Sequence, residues 1–223
     1  MDPSHGGYGL EKVYPPTEEH LSGEIQADII FVHGLNGDSQ NTWTVDGHNG
    51  RRICWMSTNG FLPSMIPLSR IFTFKYNARI LNYNSDAGLE DISRSLLSQI
   101  QSVRKERREI NRKLIFVCHS LGGLVVKQAM ILDTQDDSLK NIQDHTVGVI
   151  TLGTPHGGSH LGITLTRISF VTGTSKEISR TLSVKSEPLE SLNKAFEGYY
   201  LSKPSARTHW CVIMLIKTFN RTI

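Results

Sequence analysis

The sequence predicts an α/β protein, a three-layer sandwich in which a mostly parallel sheet carries helices on both faces. Two observations predict this class. Short apolar runs of strand length alternate with amphipathic helical patterns, and the runs are continuous, as in strands buried on both faces of a parallel sheet. Such alternation produces βαβ units with right-handed crossovers. A chain of 223 residues suits one full core, so we expect a single domain over 1–223.

The strands are predicted from apolar runs that lie between turn-forming residues. The run in ADIIFVHG, for example, extends from Ile29 to Val32 and stops at a glycine. In chain order, strands are predicted near residues 10–14 and at 29–32, 69–76, 113–118, 146–155 and 210–216. Residues 1–24 form a polar N-terminal segment. Residues 35–60 are predicted to be loop-like, with Trp43 and Trp55 as anchors.

Three helices are predicted from apolar residues at helical spacing. The first has Ser85 or Asp86 as its cap, and the third opens at Pro188 inside a helical insert over 160–205. The apolar sides are Leu89, Ile92, Leu96, Ile100 and Val103 in the first helix and Leu189, Leu192, Phe196 and Tyr199 in the third, and the second helix is marked by Leu124, Val125, Gln128, Ala129 and Leu132.

The composition excludes several classes of protein. Hydrophobic content of 38%, charged content of 20% and a net charge of +3 are ordinary globular values that imply neither disorder nor nucleic-acid binding. Cys54, Cys118 and Cys211 are odd in number and widely spaced, which argues against disulfides or a zinc site and for a reducing intracellular compartment. No GxGxxG follows a strand, so a dinucleotide enzyme is poorly supported. We expect no metal and no cofactor.

Membrane and surface signals are weak in this sequence. The N-terminus has no apolar signal region, and no apolar run approaches the roughly 20 residues of a membrane helix. Much of the basic excess lies in RKERREINRK, residues 104–113. We interpret it as the solvated end of a helix, where cations favour the negative end of the dipole, in preference to an anionic-surface patch.

Three glycine-containing stretches follow predicted parallel strands: HGLNG at 33–37, HSLGG at 119–123 and TPHGGS at 154–159. Ligands of such sheets bind at the carboxyl ends of the strands. FVCHSLGGL, residues 116–124, has the pattern of a tight strand-to-helix turn that exposes Ser120 as a nucleophile. That turn needs small residues on both sides of the serine; Gly122 satisfies this, and Cys118 does so only in part.

A serine nucleophile also needs oxyanion donors and a base. The amide of Leu121 is predicted as one donor and that of Leu35 as the second, with Gly34 and Gly37 permitting unusual backbone angles.

The histidines near these stretches are predicted to support the site without acting as the base. His33 and His119 are interpreted as structural hydrogen-bonding residues. His156 is expected at the pocket rim, on the wrong connection for a base.

The stretches ADIIFVHGLNGDSQNTWT, SRIFTFKYNA, FVCHSLGGLVVKQA and ITLGTPHGGS resemble the α/β-hydrolase superfamily. More closely, they are similar to the lipase-like module of serine active site-containing proteins and to the N-terminal hydrolase module of fungal NLR-like proteins. The resemblance runs from about Tyr8 to about Leu161. It implies Ser120 as nucleophile and ester or lipid-acyl substrates. The motif residues that would support the site are His33, Gly34, His119, Gly122 and Gly123.

The same resemblance implies a lid formed by 160–205, peripheral membrane contact, and lipid remodelling where the endoplasmic reticulum meets mitochondria. In this superfamily the acid and histidine follow later strands. KTFNRTI, which follows the last predicted strand, has no Asp, Glu or His, so we expect the acid, the base, the last strand and the last helix to be missing. Two functions stay open: an impaired serine esterase or lipase, and a non-catalytic binding or signalling module that pairs with itself through its last strand.

Overall fold

The computed structural model of the chain describes residues 8–17, 21–34, 37–47, 50–77, 85–135, 140–154, 187–202 and 209–211. Its strands are β1 (Gly9–Tyr14), β2 (Ala27–Val32), β3 (Thr44–Asp46), β4 (Arg52–Cys54), β5 (Ser69–Lys75), β6 (Lys113–His119), β7 (Thr146–Leu152) and β8 (His209–Cys211). Its helices are α1 (Phe61–Met65), α2 (Ser85–Val103), α3 (Arg107–Ile110), α4 (Gly122–Gln135), α5 (Lys140–His145) and α6 (Glu187–Ser202).

The main sheet has the strand order β1-β5-β2-β6-β7-β8. Only the β1–β5 pair is antiparallel; the four other neighbouring pairs are parallel. The predicted α/β class with a mostly parallel sheet is therefore confirmed, and each predicted strand has a counterpart. The last of them is described over His209–Cys211, and the rest of the predicted 210–216 strand lies outside the described residues.

One face of the sheet is covered by α2, α4 and α5. Strand residues that point to this face, such as Phe74 and Phe116, are at most 1% exposed because they pack against the apolar stripes of these helices. The predicted stripe of the first helix is confirmed at Leu96 and Ile100, both fully buried. Burying each such side chain contributes about 1.5–3 kcal/mol. The buried cluster on this face is larger than the one on the opposite face, so this face holds most of the core among the described residues.

On the opposite face, the covering residues that the structure describes belong to 21–66. The expectation of a plain loop at 35–60 is wrong there, because Asn41–Trp43 form a 3₁₀ turn and β3 pairs with β4 in a small hairpin. Trp43 is the predicted anchor: it is 1% exposed and meets the Phe31 ring edge-on at 4.8 Å. Trp55 is half-buried beside it.

The interpretation of 104–113 as a solvated helix end is wrong for two of its basic residues. Arg104 and Arg112 are buried and bind the carboxylate of Asp28, which is itself 1% exposed. Arg70, the register partner of Asp28 in β5, adds two hydrogen bonds, from Nε at 2.7 Å and from Nη2 at 3.0 Å. This Asp28 cluster ties the loop around α3 to the amino end of the sheet.

Three strands end together at the carboxyl edge of the sheet. In the registers of the β2–β6 and β6–β7 pairs, Val32 lies opposite Cys118, and His119 lies opposite Leu152. The ends of these three strands, after which the glycine-containing stretches follow in the sequence, therefore lie side by side. Within the described ranges, no helix is both long and apolar enough to cross a bilayer.

Candidate active site

Ser120 occupies a very tight turn between β6 and α4. Its φ of 51° lies in the left-handed region, and it is the one described non-glycine residue with a positive φ. An L-residue pays about 1–2 kcal/mol for that conformation, so the surrounding contacts must hold it. Its N–H donates to the Leu152 carbonyl at 2.8 Å, and its own carbonyl accepts from the Gly123 N–H at 3.2 Å.

The glycines of the turn are required because the chain passes very close to itself. A Cβ on Gly122 would lie 2.6 Å from the His33 carbonyl oxygen and closer still to that of Val32. A Cβ on Gly34 would lie 2.7 Å from the Ser120 Cβ. The end of β2 is thus pressed against the serine turn, which places HGLNG and HSLGG at one location.

Cys118 stands where the usual turn carries its first small residue. The side chain is fully buried in the core beneath the turn. Burial raises the pKa of the Cys118 thiol, so it stays protonated and acts as a small apolar group. Cysteine therefore fits at this position without displacing the turn.

Of the two predicted oxyanion donors, Leu121 lies within the described residues and Leu35 does not. Leu121, which follows the serine directly, is half-buried, and its carbonyl accepts from the N–H groups of Leu124 and Val125 as α4 begins. Among the described residues no acceptor is assigned to the Leu121 N–H. Leu35 lies outside the described residues; its neighbour Gly34 accepts the Gly37 N–H at 3.1 Å in a turn.

His33 is a buried, structural side chain. Its Nδ1 lies 2.9 Å from the Gly34 carbonyl oxygen, and its ring stacks on Tyr76, whose hydroxyl donates to the His33 carbonyl at 2.7 Å. Burial lowers the pKa of His33, with the Gly34 hydrogen bond and Asp38 opposing more weakly, so the ring is neutral and Nδ1 is the donor. These contacts fix the end of β2 behind Ser120.

The other histidines differ in their position relative to Ser120. His119 is exposed, with its Nδ1 3.3 Å from the Cβ position of Gly34. His145 ends α5 at the amino end of β7, and His209 pairs with Gly148, four positions short of the Leu152 level. His156 lies outside the described residues. Within the described ranges, the Ser120 Oγ is buried and has no hydrogen-bond partner.

Thr154 is a site residue that the sequence analysis did not single out. It is buried after β7, and its hydroxyl donates to the Ser120 carbonyl at 2.9 Å. A Cβ on Gly123 would collide with the Thr154 side chain, so the two residues are in contact. The threonine that opens TPHGGS was the available signal, because a buried hydroxyl after a strand needs an acceptor.

Apolar side chains line the first turn of α4. Leu124 and Leu192 are buried against each other, with Leu121 and Leu89 packed around them. Leu192 belongs to α6, so this helix covers the region next to Ser120. The apolar side predicted for the third helix is confirmed at Leu192 and, partly buried, at Phe196.

Lys127 holds the same helix through a polar contact. The residue is 6% exposed; its Nζ donates to the Asn193 Oδ1 at 2.5 Å and lies 5.4 Å from the centroid of the Phe196 ring. Within the described residues it has no carboxylate partner. Burial lowers the pKa of Lys127 to about 8 from 10.5.

Lys127 should make stability depend on pH in a defined direction. Between the folded pKa of about 8 and the unfolded value of 10.5, the unfolded chain binds the additional proton, so stability rises with pH in this window. Relative to Lys127→Met, the free energy of unfolding of the wild type should gain on the order of 1 kcal/mol from about pH 7 to about pH 9.5 in urea titrations. Relative to Lys194→Met, which removes an exposed lysine of α6 and keeps Lys127, the wild type should show no such gain. A stability of Lys127→Met that rises with pH as steeply as that of the wild type would contradict the assignment.

The elements above define a class of protein. A serine in a left-handed turn after a parallel strand, glycines that allow β2 and β7 to close around it, and a helix beginning directly behind it are the features of the α/β-hydrolase fold. Phospholipase PlaB from Legionella pneumophila has this chain's fold, with a TM-score of 0.55 and 17% identity over 84% of this chain and 38% of that chain.

The chain belongs to the family described as "Putative serine esterase (DUF676)", whose profile matches residues 26–186. Protein SERAC1 of Danio rerio is 27% identical over 187 residues, which cover 77% of this chain and 28% of that protein. Protein SERAC1 of Homo sapiens is 26% identical over 202 residues, 84% of this chain and 30% of that protein. The chain thus spans less than a third of these curated relatives. The resemblance to fungal NLR-like modules stays a prediction.

Proposed function

We propose that this chain is a serine hydrolase that cleaves ester or lipid-acyl substrates, with Ser120 as the nucleophile. The observation that carries the proposal is the left-handed turn that holds Ser120 at the carboxyl edge of the sheet, where β2, β6 and β7 end side by side. Strain of this kind persists only where neighbouring structure imposes it, and here Gly34, Gly122 and Thr154 impose it.

In the proposed reaction, the Ser120 Oγ attacks the carbonyl carbon of the ester and passes its proton to a base. The oxyanion would be held by the amide of Leu121 and, by resemblance, that of Leu35. The alcohol leaves with a proton, and water then releases the acyl group as a carboxylic acid. The acid and base remain unassigned, since within the described ranges no carboxylate or imidazole bonds the Ser120 hydroxyl.

An apolar acyl group is the substrate portion that the surroundings favour. Leu121 directly follows the nucleophile. One turn further along α4, Leu124 packs against Leu192 of α6. Side chains of this kind provide no hydrogen bonds for a polar group, whereas they exclude water from an alkyl chain. Support for an ester also comes from the family, which is described as a serine esterase.

A fluorophosphonate probe tests the nucleophile directly. We expect the probe to label the wild-type chain at Ser120 and the Ser120→Ala variant not at all, because the probe phosphonylates an activated serine hydroxyl, with fluoride as the leaving group. Ser102→Ala, which removes an exposed hydroxyl on α2 that donates to the Gln99 carbonyl, should label like the wild type. Mass spectrometry of the tryptic peptides locates the adduct. No labelling at any pH from mildly acidic to alkaline would sink the proposal.

The second function, a binding or signalling module that does no chemistry, is favoured by one observation. The Ser120 Oγ has no partner among the described residues, whereas an active serine hydroxyl is bonded to its base. Hydrolysis of a short-chain nitrophenyl ester separates the two functions. Equal rates for the wild type and Ser120→Ala would support the binding module, and loss of the wild-type rate in Ser120→Ala would support the enzyme.

A further inference from the structure

We propose that residues 45–47 and 50–66 dock this chain onto an anionic lipid bilayer. The docking surface consists of five apolar side chains on β3, on β4, on α1 and directly after α1, next to Arg51 and Arg52. The apolar members are Val45, Ile53, Phe61, Met65 and Ile66. This inference rests on the proposed function in one respect only: a bilayer is where a lipid-acyl substrate would be presented.

Exposure of large apolar side chains is concentrated on this surface. Of the six large hydrophobic side chains that are exposed among the described residues, five belong to it, and the sixth is Tyr8. Met65 is 72% exposed and Phe61 is 47% exposed. Scattered single exposures are normal, but a cluster within one short segment marks an interaction surface.

The side chains form two pairs, one on the hairpin and one on α1. Val45 and Ile53 are cross-strand partners in the hairpin and therefore share one of its faces. Phe61 and Met65 are four residues apart in α1 and share one side of it. The Phe61 ring lies 5.7 Å from that of Trp55, which directly follows β4, so the hairpin and the helix are joined.

Charge favours a lipid partner over a protein partner. Residues 53–69 contain no Asp, Glu, Lys, Arg or His, and Arg51 and Arg52 come immediately before them. Arg52 pairs with Asp46, whereas Arg51 is exposed and makes no ion pair within the described residues. An uncharged apolar surface beside a basic side chain complements acyl chains below anionic headgroups.

Hydrogen bonding points the same way. Protein interfaces carry about one hydrogen bond per 100–200 Å², which requires donors and acceptors on both sides. On the α1 part of the surface, residues 61–67, the one side-chain donor is the Ser64 hydroxyl, which already donates to the Phe61 carbonyl at 2.6 Å; the exposed polar residues Thr58 and Asn59 precede α1. A bilayer makes no such demand on the surface.

Aromatic rings connect the docking surface to the serine turn. The Trp43 ring lies 6.4 Å from the ring of His119, which precedes Ser120, and 6.4 Å from that of Trp55. Trp55 in turn contacts Phe61. Docking through Phe61 would therefore hold the carboxyl edge of the sheet close to the membrane.

The test is flotation of the full chain with vesicles of phosphatidylcholine alone or mixed with phosphatidylserine. We expect binding to the mixed vesicles that weakens with salt, and a loss of about tenfold or more in Phe61→Ser/Met65→Ser. Arg51→Ala should weaken binding to the mixed vesicles and leave any binding to phosphatidylcholine vesicles unchanged. Tyr8→Ser, which removes an exposed apolar side chain elsewhere, should bind like the wild type.

Tryptophan fluorescence provides a second readout. The chain has three tryptophans, and Trp55 is the one that contacts Phe61, so the emission should shift to the blue when mixed vesicles are added to the wild type and not when they are added to Trp55→Phe. A wild type that stays unbound with both vesicle types overturns the proposal. The proposal is also overturned if light scattering shows a dimer of the wild type that Phe61→Ser/Met65→Ser converts to a monomer, because the surface would then hold two copies of the chain together.

Failure of this inference is distinguishable from failure of the proposed function. Ser120→Ala should float with the vesicles like the wild type, because docking does not use the nucleophile. Probe labelling without vesicle binding would overturn the docking surface and leave the hydrolase intact. Vesicle binding without labelling would overturn the hydrolase and leave the docking surface intact.

Discussion

Gly122→Ala is expected to lower the free energy of unfolding by about 3 kcal/mol or more and to abolish probe labelling of Ser120. The added Cβ would meet the carbonyl oxygens of Val32 and His33 and lie 2.9 Å from the Val32 carbonyl carbon. These are backbone atoms of β2 and its end. These atoms cannot move away without breaking the pairing of β2 with β6, in which Val32 lies opposite Cys118. The strand would separate from the turn, and the turn would lose its geometry.

Urea unfolding at neutral pH measures the first effect and fluorophosphonate labelling the second. The matched control is Gly198→Ala in α6, where an added Cβ meets nothing within 4 Å. That exposed glycine lies in a helix, so its replacement should raise stability by up to about 1 kcal/mol. A Gly122→Ala variant as stable as the wild type would mean that β2 does not press against the serine turn.

The sequence predicted the parts of the fold that depend on neighbouring residues. Continuous apolar runs predicted the strands of the sheet, and the spacing of Leu96 and Ile100 predicted the buried side of α2, because burial imposes these patterns locally. The serine turn was equally predictable, since its pattern of a strand, small residues and a helix is local, although the contacts that hold it come from Gly34 and Thr154. The order of three such stretches along the chain predicted that they would meet at one edge.

Contacts between distant segments were not predictable in this way. Thr154 supports Ser120 from 34 positions along the chain, and no periodicity announces that hydrogen bond. The hairpin at 44–54 consists of strands of three residues, too short to show alternation. Arg104 and Arg112 look like solvated charges in sequence because their partner, Asp28, is 76 and 84 positions away.

The Asp28 cluster carries the second large prediction. Asp28 is 1% exposed and accepts hydrogen bonds from Arg70, from Arg104 Nη1 at 2.6 Å and from Arg112 Nη1 at 3.1 Å. Glu109 offsets part of the remaining positive charge through Arg70 Nη1 at 2.8 Å. Burial lowers the pKa of Arg104, and the neighbouring Arg70 and Arg112 act in the same direction against Asp28. The carboxylate therefore compensates charges that are costly to bury.

Asp28→Asn keeps the shape of the side chain and removes its charge, and it should cost about 3–5 kcal/mol in the free energy of unfolding. The new amide would direct donors at guanidinium donors. Arg70 would keep Glu109, but Arg104 and Arg112 would lose the counter-ion that they have among the described residues. Asp46→Asn is the matched control, because its ion pair with Arg52 is exposed and should be worth less than about 1 kcal/mol. Urea titrations compare both variants with the wild type. If Asp28→Asn cost no more than Asp46→Asn, solvent would be reaching the arginines, and the basic run would be the solvated segment that its sequence suggests.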